Sequence, residues 1–162
     1  MKLAIRPATA ADVPLILQFI CELADYEHLT HEVTATEEKL RATLFGPRPF
    51  AEALIGSVDG VPAGFAVYLH NYSTFVAQPG LYLEDLFVRP PFRKLGLGKA
   101  LIAAVARIAV ERGCVRYEWS VLDWNTPSIR FYERLGAELH GDWRRMRMTG
   151  AALERLAQVA VG

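Results

Sequence analysis

Arg93-Lys94-Leu95-Gly96-Leu97-Gly98-Lys99 stands between two contrasting stretches of this 162-residue sequence. Residues 81–88 before it are rich in aromatic and branched side chains and are closed by Pro90-Pro91. After it, Leu101, Ile102, Val105, Ile108 and Ala109 recur at helical spacing until Gly113 supplies a stop. The order is strand, loop, helix. Glycines let main chain come close to a ligand, and N–H groups at a helix start converge on an anion. A diphosphate fits that geometry. A glycine-rich turn whose basic side chains face water is the other reading of these residues.

Two further phosphate-binding patterns fit less well. A Walker loop needs Ser or Thr after its lysine to hold magnesium, and here Ala100 follows Lys99. A dinucleotide fingerprint needs a third glycine where Leu101 stands, although Glu118 lies about 20 residues downstream, as a ribose contact would require.

Working outward, residues 3–6 read as a short strand. Thr9 followed by Asp12 offers a helix start, and Val13, Ile16, Leu17, Ile20 and Leu23 give one apolar face through Tyr26. A second helix starts at Thr36, with Glu37 and Glu38 favoured by the helix dipole, and stops near Gly46. Residues 51–58 and 63–70 form two strands joined at Asp59-Gly60, a hairpin signal. Residues 115–121 give another strand and 125–135 a helix with Pro127 in its first turn and Gly136 after its end. Residues 143–148 are expected to form a last strand and 151–161 a weak helical tail. The whole chain, 1–162, reads as a single mixed α/β domain without repeats or linkers.

Composition narrows the function. The chain is 52% hydrophobic with a net charge of zero, and it shows no apolar run near the roughly 20 residues that span a bilayer. The first residues lack the features of a secretory signal, so a cytoplasmic protein is expected. No basic stripe points to nucleic acid. Residues 1–80 hold five basic against nine acidic side chains, and residues 81–162 thirteen against nine. That asymmetry suggests an acidic half for a cation and a basic half for an anion, or ordinary surface charge. Cys21 and Cys114 are expected to be reduced core thiols, and the four histidines lack zinc-like spacing, so no metal is expected.

The loop resembles the cofactor loop of the GNAT superfamily of N-acetyltransferases, Arg/Gln-x-x-Gly-x-Gly/Ala, through Arg93, Gly96 and Gly98. The likeness continues in Ile5-Arg6-Pro7-Ala8-Thr9, Leu23-Ala24-Asp25-Tyr26-Glu27, Tyr82-Leu83-Glu84-Asp85, and Asp123-Trp124-Asn125 with Phe131-Tyr132. Together these look like the spermidine/spermine (diamine) and thialysine N-acetyltransferase branch, over roughly residues 4–148. The resemblance implies a GNAT fold, a central mixed, mostly antiparallel twisted sheet flanked by helices, and acetyl-CoA as the acetyl donor. It places Leu86, Phe87 and Val88 along the pantetheine arm, and Arg93, Lys94, Leu95, Gly96, Leu97, Gly98 and Lys99 at the pyrophosphate. Asn125 and Ser128 complete that side; Asn125 alone would read as a helix cap. Tyr26 and Glu27 match the family's amine-binding pair, and a homodimer is expected.

The chemistry follows from protonation. An alkyl amine resembles lysine, with a pKa of about 10.4, so at neutral pH nearly all of it is charged and cannot attack a thioester. A carboxylate beside a water can remove the proton. By the resemblance, Glu84 is that base and Tyr132 the acid that protonates the departing thiolate. Glu84 and Asp85 should point to opposite faces of a regular strand, so only one faces the substrate unless a bulge re-aims them. Tyr72-Ser73-Thr74-Phe75 and Val121-Leu122-Asp123-Trp124-Asn125 look more like the thialysine branch, which favours a small-molecule acceptor such as a lysine-like amino acid or short diamine. A protein lysine or N-terminal acetyltransferase, and a non-catalytic acetyl-CoA-binding regulator, are the alternatives.

Overall fold

The computed structural model describes residues 1–142 and 144–159. Two compact units are present, Met1–Ser120 and Val121–Gly162. The first holds a five-stranded sheet in the order β1-β2-β3-β4-β5, formed by β1 (Leu3–Pro7), β2 (Glu52–Val58), β3 (Val61–Ser73), β4 (Gln78–Val88) and β5 (Tyr117–Trp119). The first three pairings are antiparallel and β4 pairs with β5 in parallel. Asp59 and Gly60 both have positive φ, 48° and 83°, as a two-residue hairpin turn between twisted strands demands.

Three helices cover this sheet. The side chains of α1 (Val13–Tyr26) and α2 (Glu37–Phe45) close one face: Ile16 and Phe19 pack with Ile55, Phe65, Val67 and Phe87, and Leu40 and Leu44 lie against them. The other face takes α3 (Leu97–Glu111), whose Leu97, Leu101, Ile102 and Val105 are buried. Its approach is close because β2 offers a glycine, and a Cβ at Gly56 would stand 2.9 Å from Leu97 Cδ1.

The start of α1 is a one-turn 3-10 segment, Ala10–Asp12, rather than regular helix. There the buried Asp12 carboxylate accepts from Thr9 N–H at 2.8 Å and forms a bidentate pair with Arg6 at 2.7 and 2.8 Å. The arginine hydrogen bond, more than burial opposes it, holds the Asp12 carboxyl well below the usual carboxylate range. Thr36 caps α2 by accepting from Lys39 N–H at 3.2 Å.

The second unit contains α4 (Thr126–Glu133) and α5 (Gly150–Ala157). Gly136, with φ 92°, follows α4 as expected of a helix stop.

Four expectations need correction. The strand over 115–121 shrinks to Tyr117–Trp119. Residues 144–148 form no strand, and Trp143 lies outside the described residues. Their alternation of Arg with Met reads locally as a strand, but a strand exists only within a ladder, and residues 144–148 take part in none of the described strand pairings. The tail helix ends at Ala157, with residues 160–161 outside the described set. Cys21 is exposed on α1, not a core thiol, while Cys114 is half-buried.

Gly64 on β3 leaves room for the neighbouring strand: a Cβ there would lie 2.5 Å from the Phe87 carbonyl oxygen and 3.2 Å from Val88 Cα. Main chain cannot swing aside as a side chain can. Gly64→Ala is expected to lower unfolding free energy by about 1–3 kcal/mol in urea denaturation; an unchanged midpoint would show that β4 shifts without cost.

Candidate active site

β5 accompanies β4 only from Leu81 to Leu83. Beyond that, residues 84–88 of β4 pair with β3 and, among the described residues of this unit, with no strand on the other edge. Main-chain donors and acceptors along such an edge are available to a ligand's amides. Directly after it, the chain turns at Pro90–Phe92, passes Lys94 at φ 63° and Gly96 at φ 90°, and enters α3. No side chain caps this helix. The N–H groups of Leu97, Gly98 and Lys99 therefore remain as the anion-seeking end of a 15-residue helix. Positive φ at Gly96 is the reason for glycine there, since other residues are strained in that region.

These features test whether the residues suit acetyl-CoA. An open strand edge for pantetheine's amides leads straight to free helix-start N–H groups flanked by Lys94 and Lys99, which suits a diphosphate. The contribution of Leu97 can only be main chain, because its side chain is 1% exposed and packs on β2. Phe87, 5% exposed, is likewise turned into the core.

The acidic side of the site is built on a bulge. Val67 of β3 opposes Asp85 and Tyr68 opposes Leu83, so Glu84 is the extra residue on β4. Strand alternation is reset there, and Asp85 shares a face with Val67, on the side covered by α1. The sequence reading required such a bulge for both carboxylates to serve one site. Burial pushes the Asp85 carboxyl up to about 7, with further contributions from the charges of Glu84 and Glu27. Glu27 is the residue that ends α1, and burial raises its pKa as well. Asp85 thus feels two further carboxyl groups, one of them at the negative end of α1. Among the described residues none of the three makes a hydrogen bond or ion pair.

Arg93 lies between Tyr26 of α1 and the segment that leads into α3. Its Nε donates to the Val88 carbonyl at 2.9 Å, and its guanidinium lies 4.7 Å from the Tyr26 ring centroid and 5.8 Å from that of Phe87. Arg89 adds a second tie, bidentate to Glu22 of α1 at 2.8 Å and stacked on Phe19 at 4.6 Å. The end of β4 is therefore fastened to α1, with Arg93 against Tyr26, the chain neighbour of Glu27. Sequence reasoning placed Arg93 in the loop but did not find its contact with Tyr26.

In the second unit, Asn125 is buried and its side chain accepts from Ser128 N–H at 3.4 Å, capping α4. Tyr132 lies further along α4, half-buried, with its ring 5.3 Å from that of Phe131.

Residues 17–137 match the model of the acetyltransferase (GNAT) family. The chain belongs to that family. It is an N-acetyltransferase by kind, and the family uses acetyl-CoA as donor. It is 36% identical to an L-ornithine N5-acetyltransferase of Arabidopsis thaliana, over 97% of this chain and 89% of the relative. It is 38% identical to a thialysine N-epsilon-acetyltransferase of Sus scrofa, over 94% of this chain and 96% of the relative. An integron cassette protein of V. cholerae has the same fold, with a TM-score of 0.81 at 24% identity over 98% of this chain and 99% of that one. Among the described residues, no group of three metal-ligating side chains is assembled and no helix is long and apolar enough to cross a membrane.

The raised Asp85 pKa gives this acetyltransferase a stability signature. The folded protein holds a proton on Asp85 up to about pH 7, whereas the unfolded chain releases it near 3.8. The native state therefore binds more protons between these values, and this group's effect is a loss of stability as pH rises through that window. Asp85→Asn is expected to raise Tm at pH 8 and to leave it unchanged near pH 3. An equal Tm difference at both values would contradict the assigned shift.

Proposed function

We propose that this chain transfers the acetyl group of acetyl-CoA to a primary amine of a small molecule, a lysine-like amino acid or short diamine. The observation that carries this reading is the bulge that turns Asp85 onto the α1 face, where the charges of Glu27 and Glu84 reach it with no cationic partner among the described residues, on the strand that leads to an uncapped helix start. The charges of Glu84 and Glu27 add to burial in raising the proton affinity of Asp85 unless a cation arrives. An alkylammonium is that cation, and the names of the relatives in Arabidopsis thaliana and Sus scrofa point to amines of this size.

Binding of the ammonium favours ionisation of Asp85, whose proton passes to solvent, and the Glu84 carboxylate then takes one proton from the ammonium through a water, leaving the neutral amine. The nitrogen lone pair attacks the thioester carbonyl carbon, and collapse of the tetrahedral adduct breaks the C–S bond. Tyr132 gives its phenolic proton to the leaving thiolate and recovers one as the product amide forms. Main-chain groups of Leu86, Phe87 and Val88 align the pantetheine arm. N–H groups of residues 94–99 hold the pyrophosphate, that of Arg93 being committed to the Pro90 carbonyl at 3.2 Å, and Asn125 and Ser128 serve the same cofactor. On this reading the chain acts in the cytoplasm as a homodimer and as one functional domain.

Thiol release from acetyl-CoA in the presence of lysine, thialysine, ornithine and short diamines tests the reaction. Tyr132→Phe is expected to lower kcat by on the order of 10²-fold while calorimetry still detects acetyl-CoA binding. Near-normal turnover would remove its role as acid.

A further inference from the structure

Between α1 and the segment after β4 runs an open groove of about 540 Å³, walled by Glu22, Asp25, Tyr26, Arg89 and Arg93 among others. Its four charged side chains do not simply cancel. Arg89 and Glu22 are committed to each other at 2.8 Å. Arg93 commits only Nε, to the Val88 carbonyl, and among the described residues its two Nη nitrogens have no hydrogen-bond partner. The exposed Asp25 carboxylate also lacks a side-chain partner among the described residues. What remains is one guanidinium fork and one carboxylate on the walls of the same groove.

Neither is explained by stability. Asp25 sits in the last turn of α1, where the helix dipole disfavours an acid. Arg93 is held rigid by its stacking between Tyr26 and Phe87, which fixes the direction of its free nitrogens without using them.

We infer that this groove is the head-group subsite for an α-amino acid acceptor, with Arg93 Nη taking the α-carboxylate and Asp25 the α-ammonium. The inference rests on the acetyl-transfer reading and deepens it. Tyr26 borders the groove, and Glu27 beside it in the chain is one of the charges felt at Asp85, so groove and carboxylate site adjoin. An acceptor with its side-chain amine at the carboxylates can lay its head in the groove. A diamine has no anion for Arg93 and brings a second cation towards it, which disfavours it by an unpaired charge and by repulsion.

The test is steady-state thiol release with L-lysine, lysinamide, which lacks the carboxylate, and Nα-acetyl-lysine, which lacks the α-ammonium. The wild-type protein is expected to lose on the order of tenfold or more in kcat/KM, mainly through KM, when either charge is removed from the acceptor. Asp25→Asn, a change on an exposed position, should impose a similar loss on L-lysine yet leave Nα-acetyl-lysine unaffected. A general loss of fold or activity would lower both. Equal use of L-lysine and lysinamide by the wild-type protein, or equal effects of Asp25→Asn on L-lysine and Nα-acetyl-lysine, would overturn the subsite alone. No thiol release with any amine, diamines included, would overturn the acetyl-transfer reading and the subsite with it.

Discussion

Parallel pairing between β4 and β5 stops at Leu83, and the rest of the site depends on that early stop. One residue later the bulge at Glu84 resets the strand, turning Asp85 onto the α1 face and leaving the residue 84–88 edge without β5. A sheet edge is normally a liability that invites further strands. Here it leads directly into a turn and the uncapped start of α3, so the free main-chain groups form a continuous track. The same irregularity therefore turns Asp85 onto the α1 face and leaves along the edge of β4 the track proposed for the acyl donor.

The two ends of that track carry opposite charge and are held together by aromatic and ionic ties rather than by distance alone. Arg93, stacked on Tyr26 and hydrogen-bonded to Val88, and Arg89, paired with Glu22, fasten the end of β4 to α1. Such partly buried bidentate pairs fix orientation more than they add net stability. Orientation is what a direct transfer needs, since holding nucleophile and carbonyl in register removes much of the entropic barrier. Stability has other anchors, among them the Arg6–Asp12 pair at the entry to α1 and the Arg112–Glu52 pair at 2.6 Å beyond the end of α3.

Much of this was legible in residues 81–113, where strand, glycine loop and helix follow one another as their side chains dictate. The Asp59-Gly60 hairpin and the cap at Thr36 were equally local and equally readable. Non-local features were not. The bulge at Glu84 depends on how β3 registers against β4, so the sequence could state only that a bulge would matter. The high Asp85 pKa comes mainly from burial, which no neighbouring residue announces. Arg93 reaching Tyr26, some 67 positions earlier in the sequence, is likewise a product of packing. Residues 144–148 failed in the opposite sense, because a period of two is necessary for a strand and a partner is what makes it one. The exposed Cys21 shows that an apolar neighbourhood in sequence need not be one in space.

The proposed transfer requires main-chain N–H groups at the start of α3 to hold a diphosphate. Calorimetric titration with CoA against 4′-phosphopantetheine and adenosine 3′,5′-bisphosphate, which between them keep every part of CoA except the diphosphate linkage, measures that directly. Affinity for CoA is expected to exceed that for either fragment by on the order of a hundredfold. Equal affinities, or no binding of CoA, would contradict it.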